Sequence, residues 1–118
     1  MNIETWRIVK AKHAATAFTG DGAKRHGGRW NSPGVAMVYC ASSTALAMLE
    51  MLVHMQSQDL LRRYVLFAVT FDASLVEAVR SRDLPRGWSR TPPSVAAHRI
   101  GDRWIVARCA PVLQVPSV

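Results

Sequence analysis

The stretch VAMVYCASSTALAMLEMLVHMQSQ, residues 35–58, reads as two elements in succession and decides the fold class. Its first part, VAMVYCA (35–41), is apolar, partly β-branched and preceded by Pro33-Gly34, the pattern of a buried strand. Its second part, SSTALAMLEMLVHMQSQ (42–58), starts with Ser42 or Ser43 as a cap and continues through Ala, Leu, Met and Glu with no Gly or Pro inside. That part predicts a helix, and because it is apolar nearly all round it predicts one buried between other layers. Outward from this pair, RRYVLFAVTFD (62–72) alternates and is rich in Val, Phe and Tyr, so it predicts a strand. Residues 6–9 predict a short first strand, and residues 12–34 a loop with a helical turn near residues 13–17. Residues 80–93, with Pro85, Gly87, Pro92 and Pro93, predict an irregular, Arg-rich connection. A helix is expected to start at Thr91-Pro92-Pro93 with Pro in its first turn, its extent left open by Gly101. The closing APVLQVPSV (110–118) predicts a strand. Strands and helices mix without strict alternation, so the expectation is a single α+β domain.

Composition bounds the partners. The chain has 118 residues, a length for one domain, and 49% hydrophobic content, ordinary for a globule with a packed core. No apolar run approaches the ~20 residues of a membrane span, and MNIETWRIVK lacks the form of a signal peptide, so a cytoplasmic protein is expected. Cys40 and Cys109 are too few and too far apart for a disulfide framework or a zinc site, and read as small buried residues. The net charge of +7 favours an anionic partner, whether nucleic acid, an acidic protein or a phosphorylated small molecule. The basic residues are spread along the chain, which argues against a nucleic-acid-binding tail.

Three features carry candidate chemistry. GDGAKRHGGRWN (20–31) has the glycine density of a phosphate loop, yet Gly28 and Arg29 stand where a Walker loop needs Lys and Ser or Thr, and Arg25 stands where the dinucleotide fingerprint needs its third Gly. Its composition also suits a solvated connection. Residues 27–31 favour the ligand reading: a bendable backbone, the bidentate cation of Arg29, the aromatic plate of Trp30 and the amide of Asn31. Glu50 is the second feature, a carboxylate amid Leu46, Ala47, Leu49, Met51 and Val53. Burial there is costly without a partner, so it reads either as a structural ion pair with an arginine or as a carboxylate aimed into a cleft. His54 lies one turn on, but no third ligand completes a metal set, so no metal is expected. Third, Trp30, Trp88 and Tyr64 with the positive charge would suit nucleic-acid stacking, while no helix carries a basic stripe for the major groove.

Together, Trp6-Arg7, FTGDGAKRHGGRWNSPG (18–34), VYCASSTALAMLEMLVH (38–54), GDRW (101–104) and VLQVPS (112–117) occur in the order and rough spacing of the RES domain, which the chain resembles nearly from end to end. That domain is the toxin half of Xre–RES type II toxin–antitoxin systems. The resemblance implies an ADP-ribosyltransferase-like mixed sheet with flanking helices and an enzyme that cleaves the nicotinamide–ribose bond of its substrate NAD+. The outcome would be NAD+ depletion by phosphorolysis, with inorganic phosphate as co-substrate, or by hydrolysis. Mono-ADP-ribosylation of a protein target is the same-family alternative; a nucleic-acid-binding or RNA-cleaving toxin is the alternative from another class. It also implies site residues. Arg29, Glu50 and Ser117 would be catalytic, with Glu50 stabilising the ribosyl cation and Ser117 bonding the ribose or positioning Glu50. Arg7 and Arg29 would hold the pyrophosphate or ribose, Tyr39 would pack against nicotinamide or its ribose, and Trp30 and Asn31 would shape the loop. The implied partner is an Xre-type helix-turn-helix antitoxin, through which alone nucleic acid would be contacted. RES domains run on past VPS, so a form lacking the usual C-terminal extension is implied, and an uncovered last strand would invite homodimerisation or antitoxin docking.

Overall fold

The computed structural model of the protein describes residues 1–53 and 63–117. They form an α+β fold of two compact units, Met1–Thr19 with Val38–Ala73, and Gly20–Met37 with Ser74–Val118.

The first unit is built on a two-stranded antiparallel sheet. β1 (Asn2–Lys10) and β2 (Tyr64–Asp72) pair along their whole length, with Arg7 opposite Phe67 and Lys10 opposite Tyr64. β1 runs well beyond the four residues expected from sequence, because every one of its positions finds a partner on β2. A 3-10 turn (Ala11–Thr16) follows β1, near the helical turn anticipated there. Phe18 then meets Phe67 edge-on, with ring centroids 5.1 Å apart.

α1 is the short helix Asp21–His26 of the second unit, and α2 (Thr44–Val53) packs on β1 in the first. Ser43 caps α2, its Oγ accepting the Leu46 N–H at 3.1 Å. Residues 54–58 of the anticipated helix, and His54 with them, lie outside the described residues. Two expectations fail here. α2 is not enclosed: of its residues only Ala47 is buried, while Leu49 is 59% and Val53 78% exposed. A sequence apolar on every side still packs one narrow stripe against a two-stranded sheet, and the rest meets solvent. Residues 35–41 do not form a strand; their backbone pairs with β1 at the Trp6–Ala41 bridge.

The second unit holds a short parallel pair, β3 (Val76–Ala78) and β4 (Val112–Gln114), and the helix α3 (Val95–Ala107). Sequence did not reveal α1 or β3. The prolines do not enter α3: Ser94 caps it instead, its Oγ accepting the Ala97 N–H at 3.1 Å, and Gly101 lies within it. Both cysteines are exposed rather than buried.

Candidate active-site cleft

β1 is half-buried without a break from Thr5 to Lys10, and its middle is bridged by residues 39–41 through reciprocal hydrogen bonds of 2.8 Å between Trp6 and Ala41. Between this segment, β1, β2 and α2 lies an open cleft of about 410 Å³, in the range of small-molecule sites. Arg7, Tyr39 and Glu50 all line it, with Trp6, Lys10 and Tyr64 among their neighbours.

Arg7 is the organising side chain. Its Nε donates to the Ala17 carbonyl at 2.7 Å and its Nη1 to the Tyr39 carbonyl at 2.9 Å. One guanidinium thus ties the end of the 3-10 turn and the 39–41 segment to β1. Burial lowers its pKa from the ordinary arginine value, with Cys40 acting in the opposite sense. An arginine so perturbed stays cationic at neutral pH. Although Cys40 is exposed as a residue, partial desolvation of its sulfur pushes the thiol up, against the hydrogen bond from Thr5 and the charge of Arg7, so it is a protonated thiol at neutral pH. Glu50 is on the exposed side of α2 and faces the cleft. The expectation of a buried carboxylate is corrected: Ala47 is the one buried residue of α2, and position 50 is exposed.

In the second unit the glycine-rich loop is knit from within. Arg29 Nη1 donates to the carbonyls of Trp88 at 2.9 Å and Arg90 at 2.7 Å. Trp30 is 3% exposed and stacks on Trp88, with centroids 5.9 Å apart. Asn31 is wholly buried, and its Nδ2 donates to the carbonyls of Ala23, Ser32 and Val35. The ring of Trp30 is therefore part of the packed interior, not a platform for a base. Ser117 is exposed in the segment after β4. The structure brings Arg7, Tyr39 and Glu50 together in one unit, and Arg29, Trp30 and Asn31 together in the other.

Sequence reasoning missed Trp6, Lys10 and Tyr64 as cleft neighbours. The signal available was register: Lys10 and Tyr64 are cross-strand partners at the end of the sheet where the cleft opens. Among the described residues no three or more His, Cys, Asp and Glu gather as metal ligands would, and no helix is long and apolar enough to cross a membrane.

A cation, an aromatic ring and a carboxylate lining one open cleft of an α+β chain are compatible with many polar ligands. Comparison with known proteins narrows this. The RES domain profile matches residues 4–118. The chain is 38% identical over 112 residues to the Toxin Res of Yersinia enterocolitica, covering 95% of this chain and 74% of that one. It is 34% identical to the Toxin Res of Photorhabdus laumondii, covering 95% and 72%. It is 40% identical over 123 residues to a Prs ADP-ribosylating toxin of Sphingobium, covering 100% and 76%. The chain belongs to the RES domain family and is a toxin of the Res type.

Proposed function

We propose that the protein is an NAD+-consuming enzyme that breaks the nicotinamide–ribose bond, with the chemistry at the cleft of the first unit. The observation that carries this reading is the meeting of Arg7, Tyr39 and Glu50 around one cleft. Nicotinamide leaves as a neutral ring, and positive charge builds on the ribose as the bond lengthens. An ionised Glu50 stabilises that charge or holds the ribose hydroxyls. The guanidinium of Arg7, already fixed at two points, grips a phosphate or ribose oxygen. Tyr39 packs against nicotinamide or its ribose. In this reading Arg29, with Trp30 and Asn31 shaping its loop, and Ser117 also take part in NAD+ handling, and substitution of each tests its share. The ribosyl cation passes to inorganic phosphate or water. The basic surface draws in the dinucleotide, and the toxin acts inside the cell under an antitoxin of the Xre helix-turn-helix type.

A second reading, mono-ADP-ribosylation of a protein, is favoured by the Sphingobium relative named for that activity on Prs. One experiment separates the two: purified protein with NAD+, with and without phosphate, with and without a protein acceptor, followed by nicotinamide release. Release without acceptor supports NAD+ degradation, and release dependent on acceptor supports transfer. No release in any arm, with tight salt-sensitive RNA binding, overturns both.

A further inference from the structure

The segment GDRW (101–104) has no part in the chemistry proposed above, yet two successive residues of it serve the glycine-rich loop. Gly101 is buried in α3, and a Cβ there would fall on the carbonyl oxygen of Trp30 and lie 2.9 Å from Met37 Cε. The loop backbone therefore rests directly on the helix. Asp102 follows, and its carboxylate takes both polar hydrogens of one residue: Oδ1 accepts the Ser32 N–H at 3.0 Å, and Oδ2 accepts the Ser32 Oγ–H at 2.6 Å. Charge-assisted bonds of this kind are the strong ones.

The four residues from 29 to 32 are then each tied differently. Arg29 holds the carbonyls of Trp88 and Arg90, Trp30 stacks on Trp88, Asn31 bonds three carbonyls of its own neighbourhood, and Ser32 is held by Asp102. Asn31 fixes the local shape of the loop. Asp102 supplies a tie from a 13-residue helix and thereby fixes where that shape sits.

We propose that Asp102 is a positioning residue that seats the 27–32 loop on α3 and so presents Arg29 in one orientation. The effect on turnover rests on the reading, given above, that Arg29 takes part in NAD+ handling; the tie itself does not. The test compares Asp102→Ala and Asp102→Asn in the full chain by Ser32 amide hydrogen exchange and by KM and kcat for nicotinamide release. Asp102→Ala is expected to exchange the Ser32 amide at least about tenfold faster and to raise KM about tenfold, with kcat held within about threefold. Asp102→Asn keeps an oxygen for the Ser32 N–H and is expected to stay within about threefold of the unaltered protein in each measure. An unchanged Ser32 exchange rate in Asp102→Ala, or an Asn variant as impaired as the Ala variant, overturns the assignment. Should Asp102→Ala fail to fold, Ser32→Ala deletes only the Oγ bond; a KM rise of about threefold supports the proposal and an unchanged KM overturns it. A protein that releases no nicotinamide defeats the functional reading, while the exchange measurement, which needs no NAD+, still decides the tie.

Discussion

The two units of the chain use their polar side chains in opposite ways. In the first, Glu50 is exposed and Arg7 spends two donors on carbonyls while lining the cleft. In the second, the polar groups of Arg29, Asn31, Ser32 and Asp102 are turned on the protein itself. Charge divides unevenly as well. The second unit contains Lys24, Arg25, Arg29 and the seven arginines between residues 80 and 108, with four acids, Asp21, Glu77, Asp83 and Asp102; the first contains five cations and four acids. The difference teaches that a residue's chemical type does not say whether it serves the ligand or the fold. Arg7 and Arg29 looked alike in sequence, yet Arg7 lines a cleft while Arg29 braces the carbonyls of Trp88 and Arg90 in addition to any part it takes in ligand handling.

Substitutions should separate the two roles. The largest effect is expected for Glu50→Gln: nicotinamide release falls by at least about a hundredfold with the fold retained, because the substitution is isosteric and the position is exposed. Asn31→Ala should do the reverse in kind, lowering stability by about 2–3 kcal/mol in denaturant titration, since three carbonyls lose a buried donor at once. A stable Asn31→Ala protein would break the contrast between the units.

A smaller effect concerns pH. The folded state raises the Cys40 pKa, so the neutral thiol is favoured; that contribution to stability is present below the ordinary thiol pKa and is lost as pH rises through the raised value. In a Cys109→Ser background, iodoacetamide should label Cys40 more slowly in the folded protein than in urea at about pH 8–9, a range that spans the ordinary thiol value. Equal rates would deny the effect of burial. The smallest change is expected for Leu49→Gln, within about 0.5 kcal/mol, because the side chain is mostly in solvent.

Much of the fold was legible where the pattern was local. β2 and α2 follow from alternation and from an unbroken helical run capped by Ser43. The segment 35–41 was not legible, although it is as apolar as a buried strand. Carbonyls that a ladder would have used accept instead from side chains, Val35 from Asn31 four residues before it and Tyr39 from Arg7, 32 positions away. The second bond joins residues whose pairing no window of sequence displays. The site was partly legible for the same reason. Glu50, Tyr39 and Arg7 were selected by residue type and resemblance, whereas Ser32 and Asp102, 70 positions apart, needed the fold to bring them together.

The central claim is that NAD+ is handled at the cleft of the first unit. Hydrogen exchange of the Glu50→Gln variant with and without saturating NAD+ tests it most directly, because that variant should bind without turning over. The account predicts slowed exchange in residues 6–10 and 39–41, the backbone that forms the cleft. Unchanged exchange in both segments at saturation would contradict it.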